Sequence, residues 1–393
     1  MNKHITESNI QAYILEHLHA DVHQIAMAKS PFPEVSGKEL SVQIAAKRKS
    51  ARKLPTWYNT PGVYFPPLLS VEQCSSETTA AYKASLVLGS TLVDLTGGFG
   101  VDSFYFSKVC PAVLHIEINN ELSEIASYNA LPLRQSGTTF LCDDGIAYLQ
   151  RTTEHFGAVY IDPARRSTSG KVFMLKDCSP NVIEHLDLLL SRTTRLLIKT
   201  APLLDLSAGL KELNHVSQIH IVSVRNECKE LIWVVEQDFS GIPEIICTTL
   251  NTEKKEFRFT MGDEPPGAFE GSIEPGMYLY EPDVALLKGG AFNLIAKRYG
   301  LLKLHPQTQL YTSSRILSEF PGRIFLIEEV LSAAAIKKDK NLQASVIVRN
   351  YPDKAAALVS KYQIKPDDSQ FLIFTQNKTN GKLIIKAKII QHY

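Results

Sequence analysis

Between residues 91 and 235 the chain alternates short apolar runs with longer amphipathic ones. "TLVDL" (91–95), "AVLHIEI" (112–118), "TTFLC" (138–142), "AVYID" (158–162) and "RLLIK" (195–199) are β-rich and separated by stretches of helical period. That alternation predicts a parallel sheet with helices on both faces. Two further runs, "IHIVSV" (219–224) and "KELIWVV" (229–235), are joined only by "RNEC" (225–228). A parallel crossover needs about a dozen residues or more, so this last pair must be antiparallel.

The flanks differ in texture. Ile10, Tyr13, Ile14, Leu18, Val22, Ile25 and Ala26 recur with helical period behind the cap candidates Thr6 and Ser8, predicting a helix over 8–29. A second helix is expected over 37–55, with Leu40, Ile44 and Ala45 on one side and Pro55 as its stop. After residue 240, "SGIPEI" and "GDEPPGAFEGSIEPG" suggest a connection. A helix over 283–301 follows, despite Gly289 and Gly290, and the runs at 323–331, 343–350, 355–364, 371–377 and 382–390 predict a β-β-α-β-β unit. The expected architecture is α/β: a helical region (1–80), a seven-stranded Rossmann-like domain (81–240), a linker with a small connecting subdomain (241–320) and an α+β domain (321–393).

Composition changes this picture little. Hydrophobic residues make up 44% and charged residues 21% of 393, with a net charge of +1, as in an ordinary soluble chain. No apolar run reaches the roughly 18 residues of a membrane span, and the N-terminus lacks a signal-peptide core, so a cytoplasmic location is expected. The six cysteines form no C-x-x-C pair and read as reduced thiols, and His17, His19 and His23 read as a solvated helix face; no metal is expected.

In a doubly wound sheet, ligands sit outside the C-terminal ends of the strands. The first strand ends in Asp94, Thr96, Gly97, Gly98 and Gly100, a turn whose backbone N–H groups could approach a dinucleotide, a mononucleotide or S-adenosylmethionine (SAM) alike. Glu117 follows about 20 residues later, where a carboxylate accepts ribose hydroxyls. Asp143 and Asp144 could bond an exocyclic amine such as adenine's, or cap the helix "DGIAYLQR". The fourth strand ends in Asp162-Pro163-Ala164-Arg165, the fifth in Lys199, and the hairpin tip carries Asn226 and Glu227. Their order along one edge implies a nucleoside-type cofactor.

"DLTGGFGVD", "HIEIN", "CDDG" and "YIDPARR" resemble the successive motifs of class I SAM-dependent methyltransferases, whose seven-stranded sheet also carries one reversed strand. More narrowly, "KLPTWY", "YFPPLLSVEQCSSETTAAYKA", "DPARR" and "VRNECKEL" resemble bacterial methyltransferases with a THUMP-like C-terminal domain, over nearly the whole chain. The resemblance implies SAM as cofactor, a ferredoxin-like connecting subdomain, and a segment with Gln73, Ser76 and Glu77 lying across the cofactor; Ser76 and Glu77 also read as a helix cap and first-turn acid. Amino-group methyltransferases acting on bases resemble one another in a D/N-P-P-Y/F/W motif that bonds the target amine and stacks on the base. Asp162 and Pro163 match it, whereas Ala164 and Arg165 replace the second proline and the aromatic. Arg165 is therefore a candidate for base stacking, Asp162 for orienting the acceptor, and Glu227 for support.

The helix end "AAKRKSARK" gathers Lys47, Arg48, Lys49, Arg52 and Lys53, an arrangement suited to phosphates and equally to a solvated face. Arg166 and Lys171 add charge beside Asp162, and Lys199 and Asn226 join the candidates for substrate contact. THUMP-like domains resemble RNA-docking modules, so the implied acceptor is a base amine in a structured RNA such as tRNA or rRNA. The alternatives are a protein or small-molecule acceptor, or a non-catalytic RNA-binding protein on a methyltransferase fold.

Overall fold

The computed structural model describes residues 1–165, 174–269, 273–339, 341–378 and 381–393. The chain forms two compact units, Met1–Ser217 with Ile232–Gly241, and Gln218–Leu231 with Ile242–Tyr393.

The first unit opens with six helices, α1 (Ser8–Glu16), α2 (Val22–Met27), α3 (Gly37–Lys53), α4 (Pro55–Asn59), α5 (Leu68–Gln73) and α6 (Glu77–Ala84). The helix expected over 8–29 is two, because Asp21 leaves the helical region and its side chain caps the second through the His23 N–H. Ser36 and Glu39 close a capping box on α3. Pro55 both ends that helix and occupies the first position of α4, where a missing N–H costs nothing.

The sheet follows: β1 (Thr91–Asp94), α7 (Val101–Phe106), β2 (Ala112–Glu117), α8 (Asn120–Asn129), β3 (Thr138–Cys142), α9 (Gly145–Arg151) and β4 (Ala158–Ile161). Two short strands, β5 (Ala164–Arg165) and β6 (Cys178–Ser179), pair antiparallel. Then come α10 (Leu186–Leu190), β7 (Arg195–Thr200), α11 (Leu206–Glu212), β8 (Val216–Val224) and β9 (Glu227–Glu236). The order is β3-β2-β1-β4-β7-β9, with β3 through β7 parallel. Strands this apolar are buried on both faces, as parallel sheets require. Leu92, Phe106, Val113, Tyr160 and Leu197 form one core, and Trp57, Phe65, Phe99, Phe104 and Ile125 another that ties the N-terminal helices to α7 and α8.

In the second unit, β10 (Glu244–Leu250) pairs parallel with β8 and antiparallel with β11 (Lys254–Thr260), so a stretch expected to be linker adds two strands to the expected seven. The flanking Gly and Pro masked the apolar Ile245, Ile246 and Cys247, all fully buried. The helix expected over 283–301 breaks at Gly290, whose φ of 81° caps α12 (Val284–Gly289) before α13 (Phe292–Tyr299) begins. With β12 (Tyr278–Pro282), β13 (Leu302–His305), β14 (Thr308–Ser313), β15 (Gly322–Val330), α14 (Ala333–Lys338), β16 (Ser345–Val348), α15 (Ala355–Tyr362), β17 (Gln370–Asn377) and β18 (Gly381–Gln391), a second sheet runs β13-β14-β12-β15-β18-β17-β16. The expected β-β-α-β-β order is present, with α14 as an extra helix.

Two buried amides hold the strap, residues 60–67 between α4 and α5. Gln43 of α3 accepts from the Phe65 N–H (2.9 Å) and donates to the Phe65 carbonyl (2.6 Å); Asn129 of α8 does the same for Tyr64 (2.9 and 2.8 Å). The strap thus obtains ladder-like pairing from side chains, which a buried irregular segment needs. Asn129→Ala leaves both Tyr64 backbone groups unpaired, and denaturant unfolding is expected to show a loss of about 2–4 kcal/mol.

Candidate active site

The C-terminal ends of β1, β2, β4 and β7 are tied to one another by named bonds. The Leu95 N–H donates to the Tyr160 carbonyl (3.0 Å) and the Gly97 N–H to Ile116 (2.8 Å). The Asp162 N–H donates to the Thr96 hydroxyl (2.7 Å), and the Asp162 carboxylate pairs with the Lys199 ammonium at 2.6 Å. Glu117 accepts from the Gly98 N–H (2.7 Å) with one oxygen and from the Asn119 N–H (2.7 Å) with the other. Thr96, Gly97, Gly98, Glu117, Asp162 and Lys199 therefore lie along one rim.

The glycine turn has a steric reason. A Cβ at Gly97 would sit 2.1 Å from the His115 ring, and Gly100 starts α7 at φ 85°. Beneath the turn Asp94, fully buried, accepts from the Thr96 N–H (3.1 Å) and the Ser103 hydroxyl (2.6 Å), so it shapes the loop from within. The Ser103 oxygen lies 3.1 Å from His115 Nδ1. With the Ser103 proton directed at Asp94, Nδ1–H is the donor and Nε2 remains a buried nitrogen without a hydrogen-bond partner. Burial pushes the Asp94 carboxyl up to about 7 and the His115 imidazole down to about 3.

The other residues singled out are placed as follows. Asp143 pairs with Arg151, while Asp144 caps α9 through the Ala147 N–H. Ser76 caps α6; Gln73, at the end of α5, is exposed. Glu77 is turned into the protein, accepting from the Thr56 N–H and hydroxyl and from the Tyr105 hydroxyl (2.6, 2.7 and 2.8 Å), so it serves as an internal tie. Pro163 is buried; the Arg165 side chain, Arg166 and Lys171 lie outside the described residues. Asn226 and Glu227 belong to the second unit, where Asn226 accepts from the Val284 N–H and Glu227 pairs with Lys229.

Lys47 does not offer a surface cation. It is 3% exposed, donates to the Tyr58 carbonyl (2.7 Å) and lies over the Tyr58 and Phe65 rings. Lys49 pairs with Glu72, and Lys53 donates to the Val71 and Glu72 carbonyls, so both clamp α5. Arg48 and Arg52 are exposed.

Three features escaped the sequence reading. Ile118, next to Glu117, is 69% exposed, an apolar surface at the rim. His115 and Ser103 complete the Asp94 network. Asp102, in the first turn of α7, gathers Ser75, Lys83 and Tyr160 around its carboxylate. Among the described residues no cluster of three metal-type ligands occurs, and no helix is long and apolar enough to cross a membrane.

A ferredoxin-like domain model matches residues 278–321 and a THUMP domain-like model residues 322–388. A Porphyromonas gingivalis W83 protein of known crystal structure, described as an inferred methyltransferase, is 31% identical, with 98% of each chain covered and a TM-score of 0.86. Proteins of two Mycobacterium tuberculosis strains, CDC 1551 / Oshkosh and H37Rv, named as uncharacterised SAM-dependent methyltransferases, are 23% identical over 63% of this chain. The matched part spans 65% of those relatives' own length.

Asp94's stabilising contribution is complete below about pH 3.8 and is lost as pH rises through about 7. That of His115 is complete above about pH 6.5 and is lost as pH falls through about 3. Asp94→Asn removes the first titration only. Urea unfolding between about pH 5 and about pH 8 is expected to show wild-type stability declining relative to the variant as pH rises.

Proposed function

The chain belongs to the family of SAM-dependent methyltransferases that carry a THUMP-like C-terminal domain, and from that premise we propose that it transfers a methyl group from SAM to an exocyclic amine of a base in a structured RNA. The observation that carries the cofactor assignment is the Glu117 carboxylate. Its two oxygens are already oriented by the Gly98 and Asn119 N–H groups, and a carboxylate retains lone pairs for a vicinal diol after accepting two such bonds. Ile118 offers apolar surface beside it for the plane of a base. The turn at 96–100, made compact by Gly97, gives the rest of an adenosyl group close approach to backbone.

When bound, SAM supplies a methyl group on a sulfonium that is already a good leaving group. The protein's own work is alignment and a place for a proton. Asp162 is held from behind by the Thr96 hydroxyl and at Oδ2 by Lys199, so Oδ1 faces the task of accepting an acceptor N–H and its proton. The Pro163 carbonyl is the second acceptor for the same amine.

The RNA half rests on the THUMP-like unit, with Arg48 and Arg52 as exposed cations for phosphate contact. Lys47 and Lys53 at the end of α3 are spent inside the protein and Lys49 is paired with Glu72 at the surface, an observation that favours the protein or small-molecule acceptor as the second reading.

Calorimetric titration is expected to show SAM binding to the wild type, weakened about tenfold or more in Glu117→Ala. Asp162→Ala should keep SAM affinity and lose roughly a hundredfold or more in methyl transfer. Mass spectrometry of nucleosides from total RNA, with and without the gene, identifies the methylated base; identical profiles would redirect the search to the second reading.

A further inference from the structure

Behind the rim lies a charged cluster that the proposed chemistry does not use. Lys83 of α6 is fully buried, and its ammonium stands 3.1 Å from Asp102 Oδ1 and donates to the Ser75 hydroxyl at 2.6 Å. Asp102 Oδ2 accepts from Ser75 (2.8 Å) and from the Tyr160 hydroxyl (3.0 Å). Removing an ammonium from water is costly, and a well-packed apolar pair in its place is often neutral or stabilising, so stability alone does not account for the arrangement.

What the cluster joins does account for it. Ser75 lies in the arch between α5 and α6, beside Gln73 and Ser76. Asp102 follows the glycine turn by two residues, and Tyr160 precedes Asp162 by two. One carboxylate therefore receives bonds from the arch and from the β4 strand that ends in the acceptor-orienting acid. The arch is also gripped from α3, where Lys49 pairs with Glu72 and Lys53 holds the Val71 and Glu72 carbonyls.

We propose that Lys83 and Asp102 are positioning residues which, through Ser75, fix the arch 73–76 against the glycine turn and so set the affinity for SAM. The inference rests on the SAM site proposed above. The cluster touches neither donor nor acceptor; it acts by holding the wall that does.

Three variants test this by calorimetry with SAM and with its demethylated product S-adenosylhomocysteine, alongside thermal melting. Ser75→Ala cuts the arch's link and keeps the ion pair; it is expected to weaken both ligands about fivefold with little change in melting. Lys83→Met strands the Asp102 charge and is expected to lower melting and affinity together. In Lys83→Met/Asp102→Leu the melting temperature is expected to return to the wild-type value while affinity stays reduced. Wild-type affinity in Ser75→Ala, or affinity recovering with stability in the double variant, would overturn the positioning role. A wild type that binds neither ligand would instead overturn the SAM site itself, whatever the variants do.

Discussion

Everything in the first unit depends on how parallel strands end. A strand leaving the sheet leaves backbone groups that no ladder satisfies, and buried orphans are expensive. Here each departing loop is tied to its neighbour: Leu95 to Tyr160, Gly97 to Ile116, Gly98 to Glu117, Asp143 to Glu117, and Asp162 to the Thr96 hydroxyl. These bonds are structural in origin. Their by-product is a rim on which residues as distant in sequence as Thr96 and Lys199 meet through Asp162, with geometry fixed before any ligand arrives.

The helical N-terminal region is part of that machinery. Its Trp57 packs against Phe104 of α7 at 4.9 Å between ring centres, and its Gln43 holds the strap leading to α5. Glu77 ties α6 to α4 and α7 through Thr56 and Tyr105. The arch is therefore suspended from both the helices before it and the glycine turn after it. A segment so held is suited to forming a wall, and the buried Lys83–Asp102 pair is the costliest of its attachments.

Much of this was legible in the sequence. The parallel strands announced themselves because apolar runs of four to six residues alternate with helical stretches, and the rim followed from their order. Side-chain direction was not legible. Glu77 reads as a first-turn acid and as a cofactor contact and proves to be an internal tie, and Asp102 drew no reading at all, because nothing local marks which side of a short helix faces a neighbour 25 or more residues away. The strands β10 and β11 were hidden by turn residues around them, and their pairing with β8 is a tertiary fact that outweighs local composition.

The basic end of α3 shows how helical period sorts a charge run that looks uniform on paper. Lys47 lies three residues after Ile44 and seven after Leu40, which puts it on the apolar stripe and buries it. Lys49 and Lys53, four apart, share the side that faces α5; Lys53 is consumed there, while Lys49 pairs with Glu72 at the surface and stays exposed. Arg48 and Arg52, again four apart, share the exposed side. A nucleic acid approaching this helix would thus meet Arg48, Arg52 and the Glu72-paired Lys49, and each phosphate contact contributes a salt-dependence slope of only about −0.7 to −0.9. So few contacts cannot supply useful affinity by themselves. If the acceptor is an RNA, its grip must come chiefly from other surfaces of the chain.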